Sequence, residues 1–109
     1  MLNCAVIMGR LVADPELRQT PNGVSVTRFR VAVDRSFVKQ GEERKTDFID
    51  VVAWRQTAEF VSRYFSKGQM IIIQGSLESR HYETSAGDKR VAWEINAARA
   101  YFGETKRNE

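Results

Sequence analysis

Residues 46–75 read TDFIDVVAWRQTAEFVSRYFSKGQMIIIQG, and the period of the apolar residues changes twice along them. Over 46–54, Ile49, Val51 and Ala53 point one way while Phe48, Asp50, Val52 and Trp54 point the other, the two-residue repeat of a strand. Over 55–67, Ala58, Val61 and Phe65 recur at spacings of three and four, which predicts a helix with one apolar stripe. Thr57 is its candidate cap. Lys67 and Gly68 mark its end, the cation facing the negative pole and the glycine suited to a left-handed stop. Tyr64 and Phe65 read as core. Met70-Ile71-Ile72-Ile73 then opens a strand over 69–82.

Two strands precede this unit. Residues 1–12, MLNCAVIMGRLV, are apolar on both parities, with Cys4, Val6 and Met8 on one and Ala5, Ile7 and Leu11 on the other. Such a strand is expected to be covered on both faces. A small barrel has one inside, so the second face is expected to meet another subunit. Gly9 suggests a bulge or bend, and Cys4 reads as a small buried hydrophobe. Residues 14–23, DPELRQTPNG, form a connection with a turn at Pro21-Asn22-Gly23. Residues 24–33, VSVTRFRVAV, place Phe29, Val31 and Val33 on one face and Arg28 and Arg30 on the other. Residues 38–45 are a polar loop.

After the unit, TSAGDK at 84–89 is a hairpin connection and 90–102 a fifth strand. Trp93 shares a parity with Val91 and Ile95 and reads as packing; His81 reads as a surface or packing residue. Residues 1–103 form one domain, with 104–109 a short polar, disordered tail. The order β-β-β-α-β-β is that of the OB-fold, an all-β, five-stranded Greek-key barrel with one helix between strands 3 and 4. An open α+β sheet is the structural alternative.

Composition narrows the chemistry. The 109 residues carry 17 Lys+Arg against 14 Asp+Glu, a formal net charge of +3, which tilts mildly towards polyanions. One cysteine and one histidine remove an internal disulfide, zinc clusters and His-based triads, so no metal or cofactor is expected. An OB-fold nuclease would need clustered carboxylates, yet Asp47 and Asp50 fall on opposite faces of their strand. No run approaches the roughly 18 apolar residues of a membrane span. A cytoplasmic, non-enzymatic protein is expected.

The outward face of strands 2 and 3 combines Arg28 and Arg30 with Phe48 and Trp54, with Phe37 just beyond strand 2; Arg80 and Tyr82 share a face of strand 4. Cations that track phosphates, interleaved with rings that stack on unpaired bases, suit single-stranded nucleic acid with little sequence preference. Trp54 reads two ways, as a platform or as a cap on the barrel end.

The chain closely resembles bacterial single-stranded-DNA-binding proteins over about residues 1–103. The likeness is carried by MLNCAVIMGRL, DPELRQTPNG, VTRFRVAVDRSF, TDFIDVVAW, YFSKG and IIIQGSLESRHY with its AGD hairpin. The resemblance implies an OB-fold subunit of a homotetramer that coats single-stranded DNA in replication, recombination and repair, on the nucleoid. By position, its base-stacking rings fall on Phe37, Phe48, Trp54 and Tyr82, and its backbone contacts on Lys67, Arg80 and Arg90. Strand parity and neighbourhood add Arg28, Arg30, Arg35 and Arg55. Glu78 stands where some members are basic. Members usually continue into a linker and an acidic tip that recruits partners. These 109 residues end at Lys106-Arg107-Asn108-Glu109 and give no support for tail-mediated partners. An OB-fold protein-interaction adaptor without nucleic-acid affinity is the competing function.

Overall fold

The computed structural model describes residues 1–37 and 39–104. Its elements are β1 (Ala5–Leu11), β2 (Arg18–Gln19), β3 (Ser25–Asp34), β4 (Thr46–Trp54), α1 (Arg55–Tyr64), β5 (Met70–Glu83) and β6 (Lys89–Phe102). The strands run β1-β5-β6-β4-β3-β2, and β1 also pairs with β3. That last pairing closes a five-stranded ring, antiparallel throughout except for β4 beside β6. The expected OB-fold barrel is therefore present, and the open sheet is not. No helix among the described residues is long and apolar enough to cross a membrane.

Closure rests on β1 serving two neighbours. Ala5 to Arg10 pair with β5 from Gly75 to Met70, while Arg10 and Leu11 pair with Ala32 and Val31 of β3. At the crossover the backbones are close enough that a Cβ on Gly9 would fall onto the Ala32 carbonyl oxygen and within 2.7 Å of Val31 Cγ1. Gly9 is thus a point of close approach in regular pairing with Ile71, not a bulge. The register shift lies instead at Gln74/Gly75, where β6 carries Ala98 as an extra residue between the partners Arg99 and Ala97.

The inward parity supplies the core: Leu11, Phe29, Val31, Val51, Ala53, Ile71, Ile73, Ile95 and Ala97, sealed at one end by Ala58 and Val61 of α1 and by Phe65. The helix is shorter than its sequence pattern. It ends at Tyr64 because Phe65 turns to extended backbone (φ −120°, ψ 145°) and so enters the core. Tyr64 is left exposed, against expectation. Thr57 does not cap the helix; its hydroxyl donates to the Ala98 carbonyl at 3.4 Å, at the β6 bulge. Gly68 takes φ +85° in the turn that follows.

The DPELR block is more than a connection. The Asp14 carboxylate accepts the Lys67 backbone N–H at 2.7 Å, Pro15 is buried, and Arg18 and Gln19 pair with β3 as an added edge strand. A hydrogen-bonded turn from Thr20 to Val24 with Gly23 at φ +81° joins the two. Cys4 lies exposed ahead of β1, not buried. The outer face of β1 is also uncovered in the single chain. Val6 and Met8 are exposed, and Met8 pairs with Ile72, which in turn pairs with Tyr101, making an apolar row across three strands. Tail residues 105–109 lie outside the described residues; the Glu104 carboxylate accepts bonds from Arg10 (3.3 Å) and from the Met70 backbone N–H (3.2 Å).

The crossover predicts that Gly9→Ala destabilises the fold by about 1–3 kcal/mol, because the new methyl displaces backbone rather than a flexible side chain. Urea unfolding measures it; an unchanged midpoint would show that β1 and β3 are not held this tightly.

Candidate nucleic-acid interface

Antiparallel register sets the site. Arg28 lies opposite Val52, Arg30 opposite Asp50 and Ala32 opposite Phe48, all with outward parity. Phe48 is 61% exposed and Trp54 37%, so neither is sealed within the barrel. Trp54 does not plug the barrel end. It lines an open cleft of 720 Å³ with Arg55, Gln56 and the Asn22–Ser25 turn. Arg55 adopts φ +56°, a left-handed conformation that costs a non-glycine residue about 1–2 kcal/mol, at the strand-to-helix corner beside that ring.

The second group lies on the β5–β6 arm, which extends beyond the barrel. Glu78, Arg80 and Tyr82 of β5 pair with Glu94, Ala92 and Arg90 of β6, so these side chains share one face. Tyr82 is 41% exposed, and the Arg80 guanidinium sits 5.4 Å from its ring centroid, a cation–π contact. Phe37, 86% exposed, stands apart in the loop after β3.

Most of the expected phosphate contacts are engaged with carboxylates in the free chain. Arg28 donates to Glu94 at 2.5 Å, and Arg80 lies 3.7 Å from the other oxygen of the same carboxylate. Arg30 donates to Asp50 at 2.9 Å. Arg35 makes a two-pronged pair with Asp47 at 3.0 and 3.1 Å, and Arg90 lies 3.7 Å from Asp88. Among the described residues Arg55 and Lys67 form no ion pair. An open cavity of 420 Å³ gathers Arg28, Arg30 and Arg80 with Asp50 and Glu94 beside Val12 and Ala13. It joins the β3–β4 face to the arm.

Two features escaped the sequence reading. Trp93 is not packed but 61% exposed, with Val91 and Leu77 also exposed. Its parity is inward, yet this part of β6 lies beyond the barrel and has no interior to enter. Glu94 was not singled out. Its signal was its parity with Arg90, on the face that carries Arg80.

The Arg35 guanidinium, hydrogen-bonded to Asp47, holds that carboxyl below its ordinary range, and the same bond raises Arg35. A depressed carboxyl contributes stability that is present above its unfolded pKa and is lost as pH falls through the lowered, folded value. An NMR acid titration of the Asp47 carboxyl carbon is expected to show a midpoint below the ordinary range, and Arg35→Gln to move it upward. An Asp47 midpoint insensitive to Arg35→Gln would deny the pair.

A family model described as "Single-strand binding protein family" matches residues 2–102. The chain is 44% identical over 106 residues to single-stranded DNA-binding protein A of Bacillus subtilis, an alignment covering 97% of this chain and 62% of that protein. It is 43% identical over 108 residues to single-stranded DNA-binding protein 2 of Listeria monocytogenes, covering 99% and 68%. Against single-stranded DNA-binding protein 2 of Staphylococcus aureus it is 45% identical over 106 residues, covering 97% and 75%. The chain thus spans less than two thirds of the length of the Bacillus relative.

Proposed function

Because the chain belongs to the single-strand binding protein family, we propose that it binds single-stranded DNA without catalysis and with little sequence preference. The observation that carries this reading is the coincidence of exposed Phe48 and Trp54 with Arg28 and Arg30 on one face of β3 and β4, continued onto the arm by Arg80 and Tyr82. Unpaired bases stack on the rings, each stack contributing about 1–3 kcal/mol, while guanidiniums track the phosphates. Duplex DNA hides its base faces and gains nothing from the rings. Phe37 supplies a further ring from its loop. Arg35, Arg55, Lys67 and Arg90 extend the cationic path. Protection of single strands in replication, recombination and repair, in the cytoplasm on the nucleoid, is the role this binding would serve.

Oligo-dT is expected to quench tryptophan emission, and Phe48→Ala and Trp54→Ala each to lower affinity about tenfold while the fold persists. Affinity should fall with salt by about 0.7 log unit per log unit for each phosphate neutralised. Oligo-dT that leaves emission and anisotropy unchanged at low salt would sink the reading and favour a protein adaptor.

The assembly we propose is a homotetramer. What supports it is the uncovered row of Met8, Ile72 and Tyr101, with Val6 beside it, since a surface this apolar is better buried against another copy. Light scattering should give a tetramer that Met8→Glu dissociates; a 12.5 kDa species for the unaltered chain would refute it.

A further inference from the structure

The cavity that joins barrel face to arm contains two carboxylates in an otherwise cationic place, and they differ in every respect that governs exchange with a phosphate. The Asp50 side chain is half exposed, holds one arginine at 2.9 Å, and that arginine is itself half exposed. Exposed pairs of this kind contribute little to stability. A phosphate can therefore replace Asp50 on Arg30 at small cost. The Glu94 side chain retains only 10% of its exposure and serves two arginines from different strands, Arg28 of β3 and Arg80 of β5. Both arginines are about half exposed and solvated, but the carboxylate is not, so a phosphate that took them from Glu94 would leave a buried anion uncompensated, at far higher cost. Arg80 in turn lies over the Tyr82 ring. Arg28, Glu94, Arg80 and Tyr82 form a continuous chain from the barrel to a stacking ring.

We propose that Asp50 is an internal stand-in for a strand phosphate, displaced from Arg30 on binding, whereas Glu94 is a positioning residue that stays in place and aims Arg28, Arg80 and Tyr82 at the strand. The proposal rests on the single-strand-binding reading and assigns roles within that site. A bound strand takes the outward N–H groups of Arg28 and Arg80 while their contacts to Glu94 persist. At Arg30 the phosphate takes over the Nε donor, and Asp50 is left facing an anion.

The test compares Asp50→Asn with Glu94→Gln in oligo-dT anisotropy titrations over a salt series. Each substitution removes one negative charge from the same cavity, so net charge alone predicts that both tighten binding. Asp50→Asn is expected to tighten it about threefold at low salt and to steepen the salt slope by about 0.7. Glu94→Gln is expected to weaken binding about tenfold, and to have no further effect in a chain already carrying Arg28→Gln and Arg80→Gln. Tightening by Glu94→Gln, or weakening by Asp50→Asn, overturns the assignment.

Should Glu94→Gln fail to fold, the unaltered chain decides by NMR. On saturation with oligo-dT the Asp50 carboxyl carbon and the Arg30 Nε–H are expected to shift while the Glu94 carboxyl carbon stays. A Glu94 shift as large as that of Asp50 overturns the positioning role. Absence of any oligo-dT binding by the unaltered chain strikes the parent reading instead, and so is distinguishable from either result.

Discussion

One strand shared between two neighbours makes this molecule a barrel. Without the Arg10 and Leu11 pairing to β3, the sheet would remain open from β1 to β2 and its inner face would be wet. Leu11 is the pivot. Its N–H bonds the Gln69 carbonyl at 3.1 Å, its carbonyl accepts from Gly68 at 2.8 Å, and its side chain is buried in the core. Gly9 permits the approach. The segment leaving α1 is tied to the same place by Asp14 on Lys67, so the end of the helix and the closing strand are fixed together.

Closure divides every strand into an inside and an outside, and the candidate face follows. Five strands leave an interior that aliphatic and small side chains fill. Of the opposite parity on β3 and β4, Val52 is covered, while Arg28, Arg30, Phe48 and Asp50 face water, which is why they stand together. The division ends where the barrel ends. On the arm both parities are wet, so inward-parity Val91 and Trp93 are as exposed as the charged face behind them.

This boundary explains what was legible from residues alone. Strand alternation, the helix stripe and element order carried the barrel, because each is a local period that the tertiary structure obeys. The basic and aromatic face was legible for the same reason. Trp93 was misread because parity says which way a side chain points, not how far the barrel extends. Cys4 was misread because it precedes the paired part of β1. The helix end was misplaced by three residues because Phe65 fits the stripe yet reaches the core in extended backbone. The two-residue β2 has no periodicity to detect. Ion pairs such as Arg28–Glu94, whose partners are 66 positions apart, depend on β3 and β6 being brought to one cavity and are invisible to local patterning.

The pairing of arginines with carboxylates has a consequence for how a basic surface can belong to a chain of net charge only +3. Unpaired guanidiniums at this density would repel one another and bind polyanions indiscriminately. Carboxylates paired with the arginines reduce that repulsion in the free chain. Arg35 on Asp47 and Arg30 on Asp50 are exposed pairs, weak enough to yield to a phosphate. Polyanions in general can compete for those arginines, but on the proposed reading only an unpaired strand would also offer bases to Phe48, Trp54 and Tyr82. In such binding the carboxylates would lower the electrostatic share of the energy, and so raise the relative weight of stacking, the part that distinguishes single strands from duplex.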